Sequence, residues 1–217
     1  MGTKYNPRIV TNGLVLCVDA GNTRSYSGTG LTANGLVGGI GGTLVNGVGF
    51  GSTNYGYFVF DGTNDHINFG NSSSVRLING TVSAWVKTSS PGGSFRGIIA
   101  KQFAYGLFYN DSVLVAYDWG ASATRSTSIN IADGNWKNVV MSFQSGVNNG
   151  TKIYINGSPV LTTTITWVND TQNLFGGAEA SAGQYAACFG SIFSLYNRVL
   201  SDSEVLQNYN ATKARYL

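Results

Sequence analysis

Apolar and polar residues alternate with a period of two along many short stretches of this chain, most clearly between Asp133 and Ile165. Within Trp136–Gln144, Val139, Met141 and Phe143 point one way, while Trp136, Asn138, Val140 and Ser142 point the other. A strand packed hard on one side reads like this. Gly146–Gly150 is a polar loop, after which Lys152–Asn156 alternates again with Ile153 and Ile155 inward. Asn156-Gly157 follows, and both residues tolerate the positive φ of a type I′ hairpin turn. The pattern predicts a three-stranded meander that cannot bury its apolar face alone and so needs a second sheet.

The rest of the chain continues in the same rhythm. Gly13–Ala20 is a nearly continuous apolar run that suits a buried strand. Ala20–Gly42 reads as a loop, with Gly39–Gly42 its most flexible part. Strands are predicted at Thr43–Phe50, Tyr57–Phe60, His66–Gly70, Gly80–Lys87, Gly97–Lys101, Tyr105–Tyr109, Val113–Trp119, Ser126–Ile131 and Tyr185–Tyr196. Short strands at regular spacing, with no helical pattern between them, predict an all-β antiparallel jelly-roll sandwich. One short C-terminal α-helix stands out at Ser201–Ala211. Ser201 and Glu204 match a capping box, Leu200 and Val205 a hydrophobic staple, and Val205, Leu206 and Tyr209 form an apolar stripe. With no repeat or linker visible, the chain divides into an extended N-terminal arm, residues 1–12, and one domain over residues 13–217.

Composition narrows the function. At 217 residues, a single domain can bury roughly 70% of the surface its unfolded chain exposes and needs no staples. Thirty glycines and only 11% charged residues mean many turns and few solvated helices. The net charge of +3 is spread without a Lys/Arg cluster, so no nucleic-acid partner is expected. Met1–Val10 holds Lys4 and Arg8 and lacks an apolar core, and the longest apolar runs are strand-sized. The expectation is synthesis in the cytoplasm without a signal peptide, and no membrane partner. Cys17 and Cys188 read as two buried small hydrophobes; a disulfide between them requires the first and last strands to be neighbours.

A Trp opening a strand, an apolar run, a polar loop and then KIYINGSPV resemble the core of laminin-G-like domains of the concanavalin A-like lectin/glucanase superfamily. Three further stretches extend the likeness: GLVLCVDAGNTRSY, then GTLVNGVGF with YFVFDGTNDHINFG, and FGSIFSLYNRVLSDSEVLQNYNATKARY. Together they resemble laminin-G-like structural proteins of tailed bacteriophages, particularly those of marine hosts. Such proteins usually carry a Trp-containing, Asn/Gly-rich segment before GTLVNG. Here that region is GLTANGLVGGIG, so no ligand or metal role carries over to it.

Candidate chemistry is sparse. Glycosidases of this fold use closely spaced carboxylates, yet the only glutamates are Glu179, in a Gly/Ala-rich loop, and Glu204, in the capping box. The single histidine, His66, lies in a strand with no nucleophile motif near it in sequence. Asp61, Asn64 and Asp65 offer hard oxygen ligands for calcium, against the plainer reading of an Asx-stabilised turn at Gly62. Too few carboxylates accompany them to complete six ligands, so no cofactor, metal or catalytic residue is expected. Tyr105, Tyr109, Tyr117, Trp119 and Trp167 are candidates for stacking on sugars, weighed against core packing.

The resemblance implies a non-catalytic component of a phage virion, a capsid decoration or a tail-associated protein, held by other virion proteins in an oligomeric assembly. The alternative is a glycan-binding adhesin for host-surface polysaccharide. Met1–Val10 and the Leu31–Gly42 loop are the parts the sandwich explains least, and either could order on a neighbouring subunit.

Overall fold

The computed structural model describes residues 7–217. In chain order the strands are β1 (Leu14–Asp19), β2 (Thr32–Ala33), β3 (Gly42–Val45), β4 (Gly49–Gly51), β5 (Tyr57–Asp61) and β6 (His66–Asn68). Next come β7 (Asn79–Lys87), β8 (Arg96–Lys101), β9 (Tyr105–Asn110), β10 (Val113–Asp118), β11 (Ala123–Asn130) and β12 (Lys137–Gln144). The last are β13 (Thr151–Ile155), β14 (Ser158–Thr163), β15 (Leu174–Gly176), β16 (Ala178–Glu179), β17 (Gln184–Tyr185) and β18 (Ala187–Tyr196), followed by helix α1 (Asp202–Thr212).

Two eight-stranded antiparallel sheets form the sandwich. The first runs β14-β13-β12-β7-β18-β5-β4, with β1 also paired to β18, and the second β11-β10-β9-β8-β15-β6-β3-β2. Val139, Met141, Phe143 and Ile153 are fully buried between the sheets, and Ile155 is half-buried at the margin of the core. Asn156 (φ 52°) and Gly157 (φ 79°) make the predicted hairpin turn.

The one-sided reading of β12 is incomplete. Asn138, Val140 and Ser142 are also buried, because a further layer covers the outer face of the first sheet. There Trp85 stacks on Tyr216 at 4.1 Å and on Tyr209 at 5.9 Å. Arg8–Asn12 joins this layer: the Val10 amide donates to Asn208 Oδ1 (2.7 Å), and the Tyr196 hydroxyl donates to the Val10 carbonyl (3.0 Å). This part of the arm therefore docks on its own helix; Met1–Asn6 lies outside the described residues. The Gly-rich loop likewise packs on its own sandwich, with Ala33 buried, the Leu36 amide donating to the Cys17 carbonyl (2.8 Å) and Ile40 bridging to Leu16.

Several strand assignments differ from expectation, among them the two-residue β2 and β16 in segments read as loops. Thr43–Phe50 is not one strand, because Asn46 (φ 63°) and Gly47 (φ 102°) turn the chain from β3 in the second sheet to β4 in the first. β15 is unpredicted, since three residues are too few to show a period, yet it bridges β8 and β6. Tyr185–Tyr196 is broken at Ala186 into β17 and β18.

The cysteines are both free and buried. Cys17 sits in the layer outside the first sheet and Cys188 in the central core, so no bridge can join them. Burial pushes their thiols up to about 11 and about 12, leaving them unreactive.

Helix α1 starts as predicted, with both halves of the Ser201–Glu204 capping box formed. Leu200 and Val205 are buried, but Leu206 is 45% exposed, which narrows the stripe to Val205 and Tyr209. The Arg198 guanidinium grips the Glu204 carboxylate at 2.6 and 2.9 Å, and with the Ser201 amide it holds that carboxyl down at about 2. A depressed folded-state pKa stabilises above the ordinary glutamate value of 4.5 and ceases to as pH falls through about 2. Glu204→Gln should thus cost about 1–2 kcal/mol at neutral pH, a modest figure because both side chains are 28% exposed and solvent screens the pair. Denaturant melts of parent and variant should converge between pH 4.5 and 2; a constant gap would assign the loss to helix packing instead.

Candidate functional site

The outer face of the second sheet carries a separate aromatic cluster, in which Phe108 and Val115 are buried and Phe95, Tyr117 and Trp119 are half-buried around them. In β9, Tyr105, Leu107 and Tyr109 point into the core and Phe108 points out. In β10, Leu114 and Ala116 point in, and Val115 points out beside Tyr117. Register places Phe108 opposite Val115 on one side and Gly97 on the other. Phe95 immediately precedes β8, and Trp119 immediately follows β10.

These rings close into a box. Phe95 meets Phe108 at 5.9 Å and Tyr117 at 5.3 Å, while Trp119 meets Phe108 at 6.0 Å and Tyr117 at 5.6 Å, all edge to face. Edge-to-face pairing satisfies the ring quadrupoles and fixes the relative tilt of the four rings.

The polar side of the site comes from the β16–β17 hairpin. It can lie on the sheet because Gly97 has no side chain: a Cβ there would overlap the Ala178 carbonyl carbon and the Glu179 nitrogen. The Gly177 amide donates to the Ile98 carbonyl (2.9 Å) and the Ala186 amide to the Gly177 carbonyl (2.9 Å), which pins both ends of the hairpin. Between box and hairpin lies a pocket of about 280 Å³, with Gln102, Glu179 and Gln184 supplying its polar groups. That is the small end of ligand pockets, with the usual apolar wall and few polar groups. Glu179 is 2% exposed, and its Oε1 has no hydrogen-bond partner. Burial raises its carboxyl above the ordinary glutamate range, while the Ser181 and Ala182 amides favour the ionised form.

Of the five aromatic candidates from the sequence, Tyr117 and Trp119 line this pocket. The other three are core. The Tyr105 hydroxyl donates to the Val75 carbonyl (2.7 Å), the Tyr109 hydroxyl accepts from the Ala187 amide (3.1 Å), and Trp167 Nε1 donates to Thr151 Oγ1 (2.9 Å). Phe95, Phe108, Gln102, Glu179 and Gln184 were not singled out as ligand groups by the sequence. The period-2 pattern of YGLFYN does separate Phe108 from Tyr105 and Tyr109, but nothing local joins Glu179 to it across 71 positions.

The Asp61–Asp65 loop is closed by its own backbone. Asp61 Oδ1 accepts from the Thr63 amide (2.7 Å), and Asp65 Oδ2 accepts from the Asp61 amide (3.4 Å). The Thr63 amide holds the Asp61 carboxyl below its usual range, whereas burial raises that of Asp65. Among the described residues, no group of three or more His, Cys, Asp or Glu is placed to hold a metal ion. Chelator should leave the melting temperature unchanged to within a degree or so; a fall of many degrees would establish a structural ion. His66 is buried, with Nδ1 2.9 Å from the Asn64 carbonyl and its ring against Phe175 and Tyr185.

A sandwich of two large antiparallel sheets is the lectin-like fold. The chain belongs to the laminin G family of the concanavalin A-like lectin/glucanases superfamily, which matches residues 61–206. Among solved structures it is similar to the binding domain of Paraclostridial mosquitocidal protein 1, at 15% identity and a TM-score of 0.69 over 92% of this chain and 52% of that one. It is also similar to Trypanosoma rangeli sialidase in complex with sialic acid (15% identity, TM-score 0.73, 96% and 34%). A third is the receptor binding domain of botulinum neurotoxin C/D mosaic serotype (15% identity, TM-score 0.67, 91% and 51%). The chain thus spans about half of the toxin domains and a third of the sialidase, and at these identities the likeness is one of fold. None of the curated proteins matches it in sequence. Among the described residues, no helix is long and apolar enough to cross a membrane.

Proposed function

We propose that this chain is a non-catalytic carbohydrate-binding domain whose sugar site is the Phe95–Phe108–Tyr117–Trp119 pocket. The observation that carries the reading is the box itself: the half-buried rings of Phe95, Tyr117 and Trp119, propped by the buried Phe108, beside the polar groups of Gln102, Glu179 and Gln184. An aromatic face takes the apolar face of a pyranose, and amides and a carboxylate take its hydroxyls. Binding fits better than hydrolysis by a carboxylate pair, the common route of glycosidases, because the pocket presents a single carboxylate. Trp119 sits half-buried in the wall and serves as the reporter. A glycan array should identify a ligand that changes Trp119 fluorescence. Trp119→Ala should lower its affinity at least tenfold, about 1.4 kcal/mol, with the melt little changed. An array with no hits, or binding that survives Trp119→Ala, would refute this site; release of reducing sugar would refute the absence of catalysis.

The setting is proposed from the sequence resemblance alone. Stretches spanning nearly the whole chain resemble structural proteins of tailed phages, which supports display of the domain on a virion, held by capsid or tail subunits. Imaging particles that contain the chain would locate it; a chain recovered only free of particles would remove this setting and leave the sugar site standing.

A further inference from the structure

Resting on the sugar-site reading, we propose that Glu179 makes this pocket selective for uncharged sugars, whose hydroxyls donate to its carboxylate, and turns away sialic acids and uronates. Glu179 is 2% exposed, yet Oε1 finds no donor in the protein. Glu179 is also among the residues lining the pocket, and an ionised carboxylate only accepts hydrogen bonds, so it suits a ligand that brings a donor. A sugar hydroxyl does so. A ligand carboxylate brings only acceptors and a second negative charge into the same low-dielectric space.

The rest of the lining agrees. Its polar members besides Glu179 are Gln102 and Gln184, and no Lys, Arg or His is among the lining residues. Gln184 pairs with Glu179 across the β16–β17 hairpin, so the amide and the carboxylate are carried by one rigid unit. An anionic sugar would therefore meet a carboxylate with no cation to offset it.

The experiment titrates the whole chain with matched pairs, lactose against 3′-sialyllactose and neutral hexose oligomers against the corresponding uronate oligomers, by calorimetry and Trp119 fluorescence. The neutral member of at least one pair should bind at least tenfold tighter than its anionic counterpart. Glu179→Gln removes the charge and should shrink that ratio to threefold or less. Gln184→Lys places a cation in the same hairpin and should shrink it independently, which keeps the test open if Glu179→Gln fails to fold. Equal binding of both members by the parent protein, or an unchanged ratio in a folded variant, would overturn the role of Glu179 while leaving the sugar site intact. Binding of neither member of any pair would overturn both.

Discussion

Replacing Phe143 with alanine should destabilise the domain by about 3–5 kcal/mol. Phe143 is fully buried at the point where the two sheets meet. Its ring, from β12 of the first sheet, stacks on Tyr105 from β9 of the second at 4.8 Å and 23°. It also meets Trp167 edge-on at 5.7 Å. Tyr105 cannot follow into the vacated space, because its hydroxyl is tied to the Val75 carbonyl (2.7 Å). The substitution therefore loses the transfer energy of the ring and leaves a cavity between sheets that cannot collapse. Equilibrium unfolding in denaturant measures it. A loss below about 1 kcal/mol would mean that β12 is shifted by one residue and presents Phe143 to water.

How much of this was legible in the sequence depends on the range over which the cause acts. Period-2 alternation located β7, β9, β10, β12 and β13 to within a residue or two, because inward side chains there meet only the apolar interior. The capping box and the Asn156-Gly157 turn were legible for the same reason, each being settled within four residues. Asn46-Gly47 carried the same turn signal and passes the chain between sheets, but the apolar residues on both sides disguised it as one strand. The covered outer face of the first sheet was not legible. Asn138 and Ser142 look solvent-facing until the helix and Tyr216 return to that face from 60 or more residues away.

The candidate site divides along the same line. Tyr117 and Trp119 were nominated by residue type, and type alone equally nominated Tyr105, Tyr109 and Trp167, which the core absorbs. Strand parity separates the two groups in β9 and β10, since odd and even positions face opposite sides. Parity says nothing about Glu179. Its arrival beside Trp119 depends on a hairpin crossing a different strand over a glycine, a long-range contact that leaves no local periodicity.

That glycine supplies the sharpest structural test. Any side chain at Gly97 would put its Cβ inside the Ala178–Glu179 peptide, against backbone rather than a side chain that could rotate away. β8 cannot recede, because Ile98, within its bulge, and Ile99 after it are buried in the core. The hairpin must therefore lift, straining the bonds from the Gly177 amide to the Ile98 carbonyl and from the Ala186 amide to the Gly177 carbonyl. Gly97→Ala should cost about 1–3 kcal/mol, as overpacking of a close contact does. It should also carry Glu179 and Gln184 away from the aromatic box, lowering sugar affinity at least tenfold while Phe95, Phe108, Tyr117 and Trp119 stay in place. Melting and sugar titration on the same protein separate the two effects. A Gly97→Ala chain that melts and binds like the parent would show that the hairpin does not rest on β8, and the polar half of the site would have to be sought elsewhere.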